Sequence, residues 1–250
     1  MPLEFDPSRS YEPFLRLPTP HENIIITPPR KSDGPRVVEC LNDAKVCNTL
    51  NGPPFPYTYK DFEFWYDKIE KDCKKGLQEH LEMTGTTNVG EGTGQRKWTG
   101  AVPVRSIREV DPATGAQEFI GDVGFDRQGY QGDTSMTLEQ QKERRELNES
   151  YEAGDERIEW DFGDFLASSY HGRGIMTAAV HAIIEDYAVP HMNVRRIRTR
   201  VFERNIASRR VFAKNGFTFQ GLGPQPLILP EDRGGHEVFL GTMMWERKPQ

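Results

Sequence analysis

Three carboxylates stand close together in one short stretch of the sequence, directly before a glycine-rich turn. They are Glu159, Asp161 and Asp164. A carboxylate can accept a proton from a reacting group efficiently when its environment brings its pKa near the operating pH. Alternation along a strand would place Glu159 and Asp161 on one face and Asp164 on the other. The segment therefore offers candidates for a general base, and the alternative is that these side chains are solvated or form salt bridges.

The glycine-rich turn has the chemistry of an anion site. Two glycines one residue apart let the backbone turn sharply, and the unsatisfied N–H groups at the start of the next helix favour a pyrophosphate. Thr177 stands where the dinucleotide fingerprint has its third glycine, and no Gly-Lys-Ser/Thr of a P-loop follows. The alternative is close packing of a strand against a helix. The turn and its continuation are Tyr170-His171-Gly172-Arg173-Gly174-Ile175-Met176.

Residue patterns predict the elements that position this turn, in an order that alternates strand and helix. A proline ends one of the helices, and a glycine closes the other in a left-handed conformation. The elements are strand 158–166, helix 174–189 stopped by Pro190, strand 196–202, helix 206–215 closed by Gly216, and strands 217–219 and 237–246.

The upstream half of the chain supplies further elements. A β-branched run predicts a strand at 23–27, and a short helix should follow with Ser32 or Asp33 as its cap. Thr58 precedes a long helical pattern. Strands at 101–109 and 119–125 should form a hairpin.

The domain organisation follows from composition along the chain. We expect an irregular arm at residues 1–22 and a single domain at 23–250. Within that domain, residues 128–157 are dense in charge and poor in large apolar side chains. This segment is expected to be an exposed, partly helical insertion that is solvated rather than placed over the site.

Bulk properties exclude several classes of function. The chain has 250 residues and a formal net charge of −6, which argues against nucleic acid as a partner. No apolar run approaches the roughly 20 residues that cross a bilayer, so no membrane partner is expected. The three cysteines fit no metal spacing, and His181 and His191 are expected at the surface. Reduced thiols and the lack of a secretory signal favour a cytoplasmic protein.

The order of these motifs resembles the GNAT acetyltransferases, and most of all their RimJ/RimL-like branch. That branch combines a Tyr-x-Gly-x-Gly turn, an Asn-x-x-Ser helix start and a helix that ends in Gly-Phe. The corresponding residues here are Tyr170 to Gly174, Asn205 to Ser208, and Gly216 with Phe217. The resemblance covers about residues 23–245. It implies an α/β fold with a mixed, mostly antiparallel central sheet, helices on both faces, and a splay in the sheet where the coenzyme enters.

The resemblance also implies an activity. Members of this family move an acetyl group directly from acetyl-CoA to an amine, and no metal is expected. The acceptor would be a small molecule or a protein N-terminus, and a homodimer is expected because many relatives pair. The alternative is a catalytically inactive acyl-CoA-binding sensor or scaffold.

Several site residues are carried over from the family motifs. Asp161 is favoured as the base because it stands two positions before Gly163, where the branch has an acidic residue, and Glu159 is second. Ser208 is the candidate donor to the sulfur, although a residue at a helix start can simply satisfy local backbone. Asn205 can likewise serve as an N-cap. The residues expected to bind the coenzyme are Phe165, Leu166, Ala167, His171, Gly172, Arg173, Gly174, Ile175, Met176, Asn205, Ser208 and Arg209.

Overall fold

The computed structural model describes residues 3–85 and 97–248. Residues 1–2 of the predicted arm therefore lie outside the described residues, as do residues 86–96 and 249–250 of the predicted domain. Within the described ranges, no helix is both long and apolar enough to span a membrane. The same ranges contain no group of three or more side chains that could hold a metal ion.

A nine-stranded sheet runs through the molecule in the order β1-β2-β3-β4-β5-β6-β7-β11-β8, while β9 and β10 form a separate ribbon. The paired neighbours are antiparallel except β6 and β7, which are parallel. The strands are β1 (Glu4–Asp6), β2 (Glu12–Arg16), β3 (Ile24–Thr27), β4 (Ser106–Val110), β5 (Gln117–Arg127), β6 (Glu159–Leu166), β7 (Arg196–Phe202), β8 (Thr218–Leu222), β9 (Leu227–Ile228), β10 (Glu237–Val238) and β11 (Leu240–Glu246).

Helices cover both faces of this sheet. On one face, Phe125 and Phe162 are cross-strand partners and share a hydrophobic cluster with Ile183. On the opposite face, Phe119 packs in a second cluster with residues of α1 and α3. The predicted α/β fold is thus confirmed. The helices are α1 (Gly34–Asn42), α2 (Ala44–Cys47), α3 (Tyr59–Thr84), α4 (Leu138–Ser150), α5 (Ile175–His181), α6 (Val189–Met192) and α7 (Ile206–Lys214).

Local signals locate the ends of several elements correctly. The Thr58 side chain accepts from the Asp61 N–H, and the Asp61 carboxylate accepts from Thr58 in return, which forms the capping box of α3. Gly216 follows α7 with a φ of 84°, as predicted for its left-handed position. The predicted hairpin joins β4 and β5. Its first strand begins only at Ser106, so the bound predicted at residue 101 is wrong.

The N-terminal segment is not irregular, which corrects the prediction. Both β1 and β2 lie in it, and β2 extends the sheet by pairing with β3. Leu15 and Leu17 are fully buried. The partner of β2 follows eight residues later, so a polar, proline-bearing segment gains strand structure from an edge that is already present.

Pro190 does not stop the helix that follows the glycine-rich turn. A π-helical stretch, Ala182–Ala188, continues α5, and α6 runs on to Met192. Pro190 follows the π-helical stretch directly, so the chain tolerates it where the regular i to i−4 hydrogen bonds are already interrupted. The helix ends instead at Asn193, which has a φ of 55°.

The charged segment at 128–157 is helical in part, as expected, but it is not simply solvated. Gln128, Tyr130, Asp133 and Asn148 are all buried. The Asn148 side chain donates to the backbone oxygen of Glu159 at 2.8 Å and accepts from its N–H at 2.9 Å. These contacts attach the segment to the start of β6, because buried backbone groups need partners.

His191 is half-buried, so its predicted surface position is wrong, whereas His181 is exposed. The His191 ring lies 5.1 Å from that of His80 and 5.0 Å from that of Tyr187. Burial, with a smaller effect of His191, lowers the pKa of His80 from 6.5 to about 4. Burial also lowers the pKa of His191. The buried His80 and the half-buried His191 therefore join the end of α3 to α6.

Acidification should destabilise the protein through His80. Because its pKa is lower in the folded state than in the unfolded chain, the unfolded chain binds the proton first as the pH falls below 6.5. The free energy of unfolding should drop by about 2 kcal/mol between pH 7 and pH 5 from this group. Urea unfolding at both pH values measures this drop in the natural protein and in His80→Gln. The drop in the free energy of unfolding should be smaller in the variant. Equal drops would contradict the assignment.

Candidate active site

The only parallel pair in the described sheet separates after two residue pairs. The strands β6 and β7 pair at Glu159 with Arg196 and at Trp160 with Ile197. Further along, the Ala167 N–H donates to the Ile120 oxygen in the direction of β5, at 2.8 Å. Backbone direction alternates along a strand, so the N–H and C=O groups of Asp164 and Leu166 point away from β5, into the opening left by β7. The expected splay of the sheet is confirmed.

A cavity of about 1350 Å³ occupies this opening. Its wall includes residues from both faces of the sheet, so the cavity passes between β6 and β7. One end is formed by the glycine-rich turn, α5 and α7, and the other by α1, the loop at 49–57 and α3, while α2 lies between them with its start beside the turn. A cavity larger than the usual ligand pocket of about 300–1,000 Å³ has room for two reactants.

The glycine-rich turn adopts the conformation expected of an anion site. Gly172 and Gly174 have φ values of 75° and 84°. A Cβ at Gly172 would meet no atom within 4 Å, so the glycine is needed for its backbone angle rather than for packing. The His171 ring contacts the Leu166 oxygen at 2.7 Å through Nε2. The Ser168 hydroxyl donates to Asp43, which attaches α2 to the turn.

Most residues predicted to bind the coenzyme lie in the wall of this cavity, and the structure brings them together around the opening. Asn205 also caps α7, because its Oδ1 accepts from the Ser208 N–H at 3.1 Å. The predicted residues found in the wall are Phe165, Leu166, His171, Gly172, Gly174, Ile175, Met176, Asn205 and Ser208.

Three predicted residues lie outside the wall. Ala167 is buried and pairs with β5. Arg173 forms an ion pair with Glu109 at 3.5 Å and lies 4.8 Å above the Tyr170 ring. Arg209 lies 4.1 Å above the Phe219 ring. The cations near this end of the cavity are instead Lys45, Arg210 and Lys214, and the sequence analysis did not select Lys45 or Lys214.

The three carboxylates of β6 have different surroundings. Glu159 is buried and accepts from Tyr130 at 3.0 Å and from Arg144 at 3.1 Å, outside the cavity wall. Asp161 also lies outside the wall, and burial raises its pKa to about 6 against the opposing charge of Arg200. The roles predicted for these two residues stay predictions.

Asp164 is the β6 carboxylate that lines the cavity. Burial, aided by the nearby carboxylates of Asp122 and Asp161, raises its pKa to about 7. Asp122 itself is held by Arg105, whose Nη2 donates to it at 2.7 Å. A carboxyl group that titrates near neutral pH can accept a proton from a reacting group. Seventeen residues separate Asp122 from Arg105, so no local sequence signal links them.

Comparisons with known proteins agree with this geometry. A family model described as acetyltransferase (GNAT) domain matches residues 23–218. The probable N-acetyltransferase YjcK of Bacillus subtilis (strain 168) is 42% identical over 60 residues. That match covers 24% of this chain and 33% of the relative, so the chain spans about a third of the length of that curated relative.

Two solved structures share the fold. RimL, a ribosomal L7/L12 α-N-protein acetyltransferase in complex with coenzyme A, has a TM-score of 0.56 at 16% identity, over 93% of this chain and 97% of the other. RimJ of Mycobacterium smegmatis, in complex with a CoA-disulfide, has a TM-score of 0.56 at 16% identity, over 94% and 86%.

The Asp164 carboxyl should titrate with a midpoint near pH 7, because its half-buried position and the nearby carboxylates disfavour its charged form. A carbon-13 NMR titration of aspartate-labelled protein measures it, with Asp164→Asn to assign the resonance. The internal control is Asp111 in the exposed hairpin turn, where the N–H groups of Thr114 and Ala113 lower the pKa. A midpoint for Asp164 near the ordinary value of about 4 would contradict the assignment.

Proposed function

Because the chain belongs to the GNAT acetyltransferase family, we propose that it transfers the acetyl group of acetyl-CoA directly to an amine of a small molecule or a peptide N-terminus. One observation carries the proposal. A single cavity connects an anion-binding turn, an unpaired strand edge and a carboxyl group with a pKa of about 7. These are the three requirements for binding a phosphorylated acyl carrier and deprotonating an amine beside it.

Different residues of the cavity wall bind different parts of the coenzyme. The Gly172 and Gly174 turn, with the first N–H groups of α5, receives the pyrophosphate. Lys45, Arg210 and Lys214 add positive charge at the same end. The exposed edge of β6 offers the backbone groups of Asp164 and the N–H of Leu166 to the pantetheine arm, since the Leu166 oxygen already contacts His171. Asn205 keeps its Nδ2 available as a donor, since Oδ1 is used in the cap.

Asp164 is the proton acceptor in this proposal, in preference to Asp161 and Glu159, because it alone of the three lines the cavity. A free alkyl amine has a pKa of about 10 and is mostly protonated at neutral pH, so it must lose a proton before it attacks. When bound, acetyl-CoA supplies an activated thioester. Ser208, on the opposite wall, donates a hydrogen bond toward the sulfur.

A carboxyl group tuned to neutral pH at the opening favours an enzyme over an inactive acyl-CoA-binding protein, which has no use for it. Nine of the wall residues are ones that the family resemblance assigns to coenzyme binding, which supports acetyl-CoA as the donor. A homodimer stays a prediction.

Acetyl-CoA should raise the thermal midpoint of unfolding, because it binds the folded state alone. A hundredfold excess over Kd adds about 2.7 kcal/mol of stability. Gly172→Ala should abolish most of this shift by straining the turn. Gly115→Ala is the matched control, because Gly115 also has a positive φ, of 70°, and open space around it, but lies in the hairpin turn. No shift in the natural protein at millimolar acetyl-CoA would reject the coenzyme assignment.

Asp164→Asn should lower kcat by about 10²- to 10⁴-fold, the usual contribution of a general base. The acetyl-CoA-induced shift in the unfolding midpoint should persist, because the backbone groups of β6 remain. Asp161→Asn and Glu159→Gln are measured alongside, by detection of the released thiol. If Asp161→Asn shows the large loss and Asp164→Asn does not, Asp161 is the base. If all three keep full activity, none of these carboxylates accepts the proton.

A further inference from the structure

We propose that the acceptor is a monoamine with an apolar or aromatic body, rather than a polyamine or another polycation. This inference rests on the proposed function and concerns the end of the cavity opposite the glycine-rich turn. The coenzyme phosphates are received on the α5 and α7 side of the sheet, so the amine must approach the opening from the α1 and α3 side.

Apolar side chains form the wall on that side. They come from α1, the loop at 49–57, α3 and β5, and most of them are at most 7% exposed although they face the cavity. We call this region the apolar chamber. Placing a side chain or ring of the acceptor here would remove apolar surface of the acceptor from water. The chamber is defined by Val37, Leu41, Leu50, Tyr57, Phe62 and Phe119.

The acidic groups beside the chamber are largely neutralised, so little negative charge remains for a polycation. Asp33 accepts from the Arg108 guanidinium at 2.6 and 2.9 Å. Asp122 is paired with Arg105, which also lies 3.8 Å from Asp126. Burial raises the pKa of Tyr57 to about 12, so its phenol stays neutral.

The remaining charges at this end also balance. Asp61 is engaged in the α3 capping box, and the cation Lys60 shares the wall with it. A site for a polycation would instead need a surplus of carboxylates. Asp164 is then the acidic group left to meet a single ammonium.

The chamber opens to solvent between exposed aromatic residues, which suits an acceptor that enters and leaves. Phe64 and Trp65 belong to the cavity wall and are 81% and 39% exposed. Large apolar side chains at this exposure, next to a cavity, are typical of a binding surface. A pocket for a longer acyl chain would be closed at its far end, so the open rim favours the acceptor.

The test compares phenethylamine with spermidine as acceptors for acetyl-CoA, using the full chain and detection of released thiol. We expect kcat/KM to be at least about tenfold higher for phenethylamine, the factor that corresponds to about 1.4 kcal/mol. Leu50→Asn should raise KM for phenethylamine about tenfold and leave the acetyl-CoA-induced shift in the unfolding midpoint unchanged. Leu147→Asn is the matched control, since Leu147 is 55% exposed on α4, away from the cavity wall, and should change neither quantity.

Three outcomes would overturn the inference. One is a preference for spermidine. A second is a transfer rate that is higher with octanoyl-CoA than with acetyl-CoA, together with a Leu50→Asn variant that changes this ratio. The chamber would then hold the acyl chain. The third is turnover of neither amine together with no heat of phenethylamine binding to the protein saturated with coenzyme A. In each case a persisting acetyl-CoA-induced shift keeps the proposed function, whereas loss of that shift rejects the proposed function itself.

Discussion

The site depends on the separation of β6 from β7. Backbone N–H and C=O groups in a protein interior need partners, and an unpaired strand edge is a ready template for another extended chain. Here β6 pairs with β5 as far as Leu166, whereas on its other side it pairs with β7 only at Glu159 and Trp160. The parallel geometry allows this, because the two strands diverge in the same direction and open a wedge toward their carboxyl ends. The cavity, the turn and both helix groups are arranged around that wedge.

The two faces of the sheet give the ends of the wedge different chemistry. On one side, helix starts and cations create an environment for phosphate. On the other, α1 and α3 bring aliphatic and aromatic side chains, and each deeply placed carboxylate is matched with an arginine, as Asp33 is with Arg108. Breaking such a buried pair would leave an uncompensated charge. The pairing therefore leaves Asp164 as a carboxyl group whose proton can move.

Local signals predicted much of the fold, and long-range contacts account for the errors. Thr58 and Gly216 mark helix ends correctly because caps act within a few residues. The strands of the N-terminal segment were missed because β2 is stabilised by pairing with β3 rather than by its own composition. Arg173 was expected at the phosphate, but its partner Glu109 lies 64 residues earlier in the chain. Lys45 lies in α2 and lines the same cavity. The position of α2 depends on the hydrogen bond from the Ser168 hydroxyl to Asp43, which is also a long-range contact.

The β6 carboxylates show that a sequence motif predicts where a site lies more reliably than it predicts the chemical role of each residue in that site. Alternation correctly separates Asp161 from Asp164, but it does not say which residue meets the cavity. That depends on where β7 departs, on the packing of Phe162 beneath the opening, and on the insertion that holds Glu159 through Tyr130. The environment then sets the chemistry, because a carboxyl group is a salt-bridge partner at Glu159 and a titrating group near neutral pH five residues later at Asp164. The sequence provides three carboxylates that could accept a proton, and the tertiary structure determines which of them lies at the cavity.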